Sequence, residues 1–482
     1  MKNRPSMRLA GCSLLILMLS ITGAAQTLHT STPADRQNLS LTVYNSGTAL
    51  VRDTRQLQIP SGHVKLLFQG IAEKLDPTSV QLFSHGSPGA LTVLEGNYEH
   101  RLLTPQNLLQ AYTGKTLTLV RTHLAKNSVI EQPEEVKLLA LNPGGPVWEA
   151  NGRVLTGLSV DHYVFPAVPE GFYQQPTLVW LLDNHNSGPQ NVTVSYLADG
   201  ITWSADYALT LARDGRTASL DGRVAITNES GLPYPNAELQ LVAGQVARAE
   251  QPPPINGRMM MAAPMAREFV QQNLSAYHLY TFPRRTTLRD GETKLAGLFL
   301  ATGIQSTLRY EVQGQPSYYR VPFPVSAPEK DPVEVHVQFT NSRANSLGMP
   351  LPEGTVRAYQ PDSTGQRQLI GETRIGSTPG DEVVDLNLGS AFDIIEERKQ
   401  TEYRRLGPNS SEAAFEITLR NQQAQPVRVQ VTEPFDGDWQ MIHSNLLYQK
   451  ATAFAARFTV PVAAHSEAGL KYTVQVRSGV MP

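Results

Sequence analysis

Apolar and polar residues alternate with a period of two along most of the chain, most clearly between residues 201 and 246. In the segment ITWSADYALTL, the residues Trp203, Tyr207 and Leu209 share one parity. The alternation returns in the two segments that follow, and Gly, Pro, Asn and Asp separate them. Such a pattern, with β-branched and aromatic residues, is typical of antiparallel strands that bury one face. It predicts three consecutive sheet strands and a mainly β fold.

A larger unit recurs from residue 177 onward. It consists of a strand that ends in Asn, a polar turn, and a second alternating strand. The four asparagines in this position are Asn184, Asn228, Asn341 and Asn421. Asn tolerates the left-handed backbone conformation and bonds nearby backbone, so it suits the residue that closes a strand. We interpret each unit as a hairpin, and hairpins of this size build antiparallel β-sandwiches of the immunoglobulin or fibronectin kind.

The region before residue 175 is predicted to be mixed. Thr104 can cap a helix, Pro105 suits its first position and Gly114 can end it, so residues 104–113 are expected to form a short helix. Short strands with tight glycine turns follow. They predict a small barrel over residues 114–165.

The length suggests about three domains behind a leader. We expect an N-terminal β region over 26–175, a central β domain over 176–325 and a C-terminal β-sandwich over 326–482. Residues 250–266 are rich in Pro and Met and lack a sheet period, which predicts a mobile loop. The apolar spacing over 267–277 predicts a helix after this loop.

A densely charged run, IIEERKQTEYRR, covers residues 394–405 between apolar strand residues. Charges on an edge strand discourage pairing between sheets of different molecules. The run therefore predicts a long, solvated edge hairpin in preference to a binding tail.

The first 25 residues have the pattern of a secretory signal peptide. Lys2, Arg4 and Arg8 precede a short apolar run, and small residues lead to a predicted cleavage after Ala25. The apolar run is shorter than the ~20 residues that span a bilayer. Leu9 to Cys12 spells a lipoprotein box, but its apolar core follows the cysteine, which disfavours lipidation. We expect a periplasmic or secreted protein without a transmembrane segment.

Charge and cysteine content exclude several classes of function. Without residues 1–25 the chain keeps 38 basic and 43 acidic residues, a net charge of −5. This mild negative balance argues against nucleic acid as a partner. Cys12 is the only cysteine and lies in the signal peptide. Thiol catalysis, zinc-thiolate sites and disulfides are therefore excluded from the mature chain.

Four methionines crowd one short window, at Met259, Met260, Met261 and Met265. Clustered thioethers can hold Cu(I) in an oxidising compartment. A flexible loop or a partner-binding patch explains the same residues without metal, because Met is adaptable and apolar. The nearest histidine is His278, so the metal interpretation is the weaker one.

Other candidates for chemistry have simpler explanations. Asp436 and Asp438 flank a turn, but the glutamate that ends a calcium loop is missing, so a turn anchored by Trp439 is expected. The eleven histidines from His29 to His465 are scattered singly, and no zinc-protease or serine-hydrolase motif is present. A triad assembled from distant loops stays open, since such sites are recognised by geometry. The sequence therefore assigns no catalytic, cofactor-binding or metal-binding residue.

Several segments together resemble one family. They are ITWSADYALTL, AITNESGLPYPNAELQLVAG, NSLGMPLPEGTVRAY and LIGETRIGSTPGDEVVDLNLGSAFDI, with the opening LTVYNSGTALVRDTR. Their order resembles the bacterial domain-of-unknown-function family four-one-three-nine, with a distant likeness to mucoidy inhibitor-like proteins. The resemblance implies an exported β-rich protein and supplies no catalytic residues.

We expect a structural or binding module of the cell envelope, without intrinsic catalysis or cofactor, whose partner is an envelope protein or glycan. The alternative is an envelope hydrolase that acts on polysaccharide or peptide. Two carboxylates facing one cleft ~5 to 10 Å apart would favour a glycosidase. A convex, carboxylate-poor surface would favour the binding module.

Overall fold

A computed structural model describes residues 27–85, 89–99, 101–125, 128–186, 188–244, 270–274, 277–322 and 330–478. The predicted signal peptide with Cys12 and the Met/Pro-rich loop of residues 250–266 lie outside this range. Within it, the chain is mainly β, as the alternation predicted. No helix among the described residues is long and apolar enough to cross a membrane.

The described residues form 31 strands, one α-helix and four 3₁₀ turns. The first elements are β1 (Thr27–Ser31), β2 (Arg36–Tyr44), β3 (Thr48–Leu57), β4 (Gly62–Gln69), β5 (Gln81–Ser84), β6 (Leu91–Glu99), α1 (Pro105–Ala111), β7 (Thr116–Ala125), β8 (Ser128–Asn142), β9 (Gly145–Ala150), β10 (Arg153–Thr156), β11 (His162–Val164), β12 (Thr177–Asn184) and β13 (Gln190–Asp199). The remaining strands are β14 (Ile201–Leu211), β15 (Thr217–Asn228), β16 (Tyr234–Ala243), β17 (Val270–Leu274), β18 (Tyr277–Thr281), β19 (Thr286–Leu288), β20 (Glu292–Gln313), β21 (Glu334–Thr340), β22 (Gly354–Pro361), β23 (Arg367–Ile375), β24 (Val383–Ser390), β25 (Ile394–Gly407), β26 (Ser410–Asn421), β27 (Val427–Pro434), β28 (Gly437–Ser444), β29 (Tyr448–Thr452), β30 (Ala455–Val462) and β31 (Ser466–Ser478). The 3₁₀ turns are Pro33–Asp35, Pro77–Ser79, Pro316–Tyr319 and Arg343–Asn345.

The chain forms two compact units. The first takes the described residues of 1–37, 54–71 and 82–193, and the second takes those of 38–53, 72–81 and 194–482. Two early segments, residues 38–53 and 72–81, belong with the later part of the chain.

The first unit contains two sheets, with strand orders β1-β4-β12-β6 and β10-β9-β8-β7-β11. The predicted helix is confirmed as α1, where Thr104 Oγ1 accepts a hydrogen bond from the amide of Asn107 at 3.2 Å. The predicted small barrel over residues 114–165 is wrong. Those residues form the second of these sheets, which is open, because its end strands β10 and β11 pair only with β9 and β7. Trp148, on β9 of this sheet, is fully buried.

The strands of residues 201–246 belong to two further sheets. β14 and β15 pair antiparallel in a ten-stranded sheet of order β23-β22-β14-β15-β20-β27-β30-β29, to which β21 and β24 are added. β16 instead pairs in parallel with β2, in the sheet β17-β18-β16-β2-β3-β13-β5. The three consecutive strands are therefore confirmed, but the third enters a different sheet.

The C-terminal sandwich is closed by the sheet β25-β26-β31-β28. Its core joins both layers through stacked rings. Phe415 on β26 and Phe458 on β30 each stack on Tyr472, with centroid distances of 5.6 and 5.5 Å. All three side chains are fully buried, and each such burial contributes about 2 kcal/mol to folding.

The four recurring units are arches and not hairpins. In three of them the strands on either side of the asparagine lie in different sheets: β12 and β13, β15 and β16, β26 and β27. In the fourth, β21 pairs with β20 and β24, whereas β22 pairs with β14 and β23. Alternation cannot distinguish a hairpin from an arch, because both bury one face of each strand.

The four asparagines hold these arches by hydrogen bonding. Each is fully buried. Asn228 donates to the carbonyls of Leu232 and Arg289 at 2.8 and 3.0 Å and accepts from the amide of Ser230. Asn421 does the same with Gln425, Ala463 and Gln423. None of the four has a positive φ, so these asparagines act through hydrogen bonds to nearby backbone, as predicted, and not through a left-handed conformation.

Two local predictions also change. The helix expected over residues 267–277 is wrong where the chain is described, because β17 and β18 pair there as antiparallel strands. β25 is confirmed as the edge strand of its sheet. However, Glu396 and Arg398 on β25 point into the sandwich and are buried, so the charged run is only partly solvated.

Candidate functional site

A cleft of about 300 Å³ opens in the second unit, at the start of β14. It is lined by Asn45, Trp203, Ser204, Ala205, Asp206, Ala243, Gly244, Pro352, Glu353, Gly354, Thr355, Arg357, Arg374 and Ser377. This volume is at the lower end of the ~300 to 1,000 Å³ that ligand pockets span. The lining combines polar and charged groups with one indole, so it suits a small polar ligand.

β14 and β22 approach closely at the cleft. The two strands are parallel, and Ala205 is the register partner of Gly354. A Cβ atom on Gly354 would lie 2.2 Å from the carbonyl oxygen of Ala205. Only glycine fits here, and the two residues directly before it, Pro352 and Glu353, form one wall of the cleft.

Aromatic residues fix that wall from below. Tyr207 Oη donates to the carbonyl of Pro352 at 2.7 Å, and Tyr280 Oη donates to the carbonyl of Pro350 at 2.9 Å. Burial, with smaller contributions from neighbouring acidic groups, raises the pKa of Tyr207 well above its ordinary value, and burial raises that of Tyr280. Both phenols therefore stay protonated and act as donors. Trp203 packs on Tyr280 with its ring centroid 6.5 Å away.

The outward face of the sheet supplies the charges. Asp206 and Arg357 form an ion pair at 3.2 Å, and Arg357 Nε donates to Glu372 at 2.8 Å. Partial desolvation lowers the pKa of Arg357, but the hydrogen bonds and charges of these carboxylates raise it further. The guanidinium is thus occupied on both sides.

Two charged groups of the cleft are unoccupied. The side chains of Glu353 and Arg374 are exposed, and neither forms an ion pair or side-chain hydrogen bond with any residue that the structure describes. Arg374 lies opposite Thr355 in the β22–β23 pair, so a hydroxyl and not a carboxylate faces it across the strands. One guanidinium and one carboxylate are therefore available to a ligand.

A second group of charges is closed inside the C-terminal sandwich. Arg398 Nη1 donates to Glu433 Oε1 at 2.7 Å, and its Nε donates to Asp331 at 3.2 Å. Tyr319 Oη donates to the other oxygen of Glu433 at 2.6 Å. Arg398 Nη2 lies 3.5 Å from Oε1 of Glu396, and neither atom has a hydrogen-bond partner among the described residues. Arg398, Glu433 and Glu396 are buried, so this network offers no surface to a ligand.

Burial dominates the protonation of the network. Desolvation raises the pKa of Glu396 to about 7, although Arg398 and the amide of Asp331 oppose it. Desolvation also raises the pKa of Tyr319 and of Tyr472 well above the ordinary value, and the charge of Glu433 adds to both. Removing one charged partner, such as Arg398, would leave the buried carboxylate of Glu433 uncompensated and would destabilise the sandwich.

A third cluster surrounds His336. Its Nδ1 lies 2.9 Å from Asp385 and its Nε2 lies 3.3 Å from Glu334. Both ring nitrogens are occupied by carboxylates, so neither is free to activate a hydroxyl nucleophile. Over the described ranges, no group of three or more His, Cys, Asp or Glu side chains is arranged to hold a metal ion.

The residues singled out from the sequence lie elsewhere. Asp436 forms an ion pair with Arg320 at 2.5 Å, and Asp438 is exposed. Trp439 is half-buried, packs on Phe435 and donates its indole hydrogen to the carbonyl of Ala453, which anchors the turn. The Met259 to Met265 window lies outside the described residues.

The cleft itself was missed, because its residues come from segments far apart in the sequence. The parallel pairing of β14 with β22 brings Asp206 beside Thr355, and β23 then adds Arg374. The polar residues on the outward parity of ITWSADYALTL were the only available signal.

Comparison with protein families gives a match. A family model described as a domain of unknown function (DUF4139) matches residues 192–437, about half of the chain. The matched range contains β14, β22 and β23 and every lining residue of the cleft except Asn45. No curated protein matches the chain.

Proposed function

The chain belongs to the DUF4139 family, and we propose that it is an exported binding module of the cell envelope whose ligand enters the cleft at the start of β14. The observation that carries the proposal is the unoccupied pair of charges, Glu353 and Arg374, on a cleft built by the matched part of the family. A closed hydrogen-bonded surface would have left no such groups. The partner is an envelope protein or glycan, and catalysis is not required.

The proposed export is supported by the positively charged and apolar start of the sequence. N-terminal sequencing of the protein recovered from periplasm or medium tests it. Recovery of a chain that begins at Gln26 is expected, and a cytoplasmic full-length chain would contradict it.

The binding role is tested by blocking the cleft. Ser204 is exposed on the outward face of β14, so Ser204→Trp fills the cleft without entering the core. Thr210→Trp is the matched control, on the same strand and face but outside the cleft. Crosslinking pull-down from envelope extract should recover a partner with the wild type and with Thr210→Trp. Equal recovery with Ser204→Trp would refute the proposed site.

An envelope hydrolase is the second candidate, because two carboxylates, Asp206 and Glu353, line one cleft. Glycosidases use such a pair. The ion pair of Asp206 with Arg357 occupies one of the two, which favours the binding role. Release of reducing ends or new amino termini from envelope polysaccharide or peptide, lost in Glu353→Gln, would establish the hydrolase instead.

A further inference from the structure

Among the charged side chains that line the cleft, two form no ion pair with a residue that the structure describes. On the outward face of the sheet, Arg223 pairs with Asp221 at 2.5 Å, and Arg357 is held between Asp206 and Glu372. The remaining groups that line the cleft with a full charge are Arg374 and Glu353. They have opposite signs, and neither contacts the other. A ligand that satisfies both must carry one anionic and one cationic group.

The spacing of these two residues restricts the ligand further. Glu353 directly precedes Gly354 on β22, and Arg374 faces Thr355 on the neighbouring strand. Two residues of chain separate Glu353 from Thr355, and one strand spacing separates Thr355 from Arg374, so the two Cα atoms lie at most about 12 Å apart. An extended dipeptide spans at most ~7 Å between its ends, and the side chains of Arg and Glu can close the remainder.

Resting on the proposed binding function, we propose that the cleft binds a short peptide by its two free termini. The guanidinium of Arg374 takes the terminal carboxylate, and the carboxylate of Glu353 takes the terminal ammonium. The hydroxyls of Ser204 and Thr355 and the amide of Asn45 also line the cleft and bond the peptide backbone. The small volume limits the ligand to a few residues.

Native mass spectrometry with an equimolar mixture of Ala-X dipeptides tests the inference. The same mixture is used free, N-acetylated and C-amidated, since each modification removes one terminal charge. The free mixture should bind, and either modification should weaken binding at least about tenfold, the effect of losing one charge-assisted hydrogen bond. Arg374→Gln should abolish the discrimination against amidation, and Glu353→Gln the discrimination against acetylation. Arg367→Gln and Glu382→Gln, exposed and outside the cleft, are the controls.

The results separate this inference from the function on which it rests. If no dipeptide binds, or if modified dipeptides bind as well as free ones, the peptide ligand is refuted. Partner recovery that still depends on an open cleft, as judged by Ser204→Trp, would then leave the binding function standing with another ligand. The inference is established if Arg374→Gln loses only the discrimination against amidated dipeptides and Glu353→Gln loses only the discrimination against acetylated ones.

Discussion

The phenol of Tyr207 donates a hydrogen bond to the backbone carbonyl of Pro352 at 2.7 Å. This bond joins the middle of β14 to the wall of the cleft. It also explains why β14 carries a tyrosine at this position, where phenylalanine would fill the core equally well.

Tyr207→Phe should lower the free energy of unfolding by about 1 to 3 kcal/mol, because a buried carbonyl loses its donor. It should also weaken binding in the cleft, since the wall at Pro352 loses its support. Urea unfolding and partner recovery measure the two effects. Tyr359→Phe is the control, as the Tyr359 hydroxyl has no hydrogen-bond partner among the described residues. Equal stability of both variants would show that the bond contributes nothing.

Asn228→Ala should destabilise the protein by about 2 to 4 kcal/mol. The substitution removes the donor to the carbonyls of Leu232 and Arg289 and the acceptor of the Ser230 amide inside an arch. Thermal or urea unfolding measures the loss. Asn97→Ala, at an exposed strand position, should change stability by less than about 0.5 kcal/mol. A small effect at Asn228 would contradict the role of the asparagine in holding the arch.

Glu396 should make stability depend on pH. Its pKa in the folded state is about 7, against an ordinary value of 4.5, so the folded protein binds this proton more tightly than the unfolded chain. The stability that this difference in proton binding contributes is fully present below pH 4.5 and is lost as pH rises through about 7. The groups that face it are Arg398, Asp331 and Glu433.

Glu396→Gln mimics the protonated form and should remove this dependence. We expect wild type and variant to be similar in stability near pH 5, and the variant to be the more stable above pH 7. Urea midpoints are measured from pH 5 to 8 on both proteins. The difference between the two midpoints at each pH removes the effect of the other titratable groups, which the two proteins share. A difference that does not vary with pH would refute the assignment.

Arg398→Met should cost about 3 to 5 kcal/mol, because Glu433 is left as a buried, uncompensated carboxylate. Adding Glu433→Gln to the same variant should restore part of the loss. Arg405→Met, on the exposed end of β25, is the control. Additive effects of the two substitutions, measured in a double-mutant cycle, would show that the two side chains are not coupled.

The sequence predicted local features better than their connections. Alternation located β14, β15 and β16, and the cap at Thr104 located α1, because both signals are carried by neighbouring residues. The sheet that each strand joins depends on partners far along the chain. The alternation around Asn228 is the same for an arch as for a hairpin, so the arches could not be predicted.

The same distinction applies to the candidate site. Asp206 was visible only as a polar residue on the outward parity of its strand, and nothing near it pointed to Arg374. Glu396 and Arg398 belong to a run whose composition predicted a solvated edge. Both residues are buried because their positions on β25 face the inside of the sandwich. Glu433, which pairs with Arg398, comes from another strand and is brought there by tertiary packing.

The parallel pairing of β2 with β16 places residues 40–44 beside residues 238–242. Synthesis must therefore proceed through Ala243 before this sheet can assemble, and such distant pairing slows folding. Fragments for expression should retain both strands, since a boundary drawn between them would expose an unpaired, aggregation-prone edge.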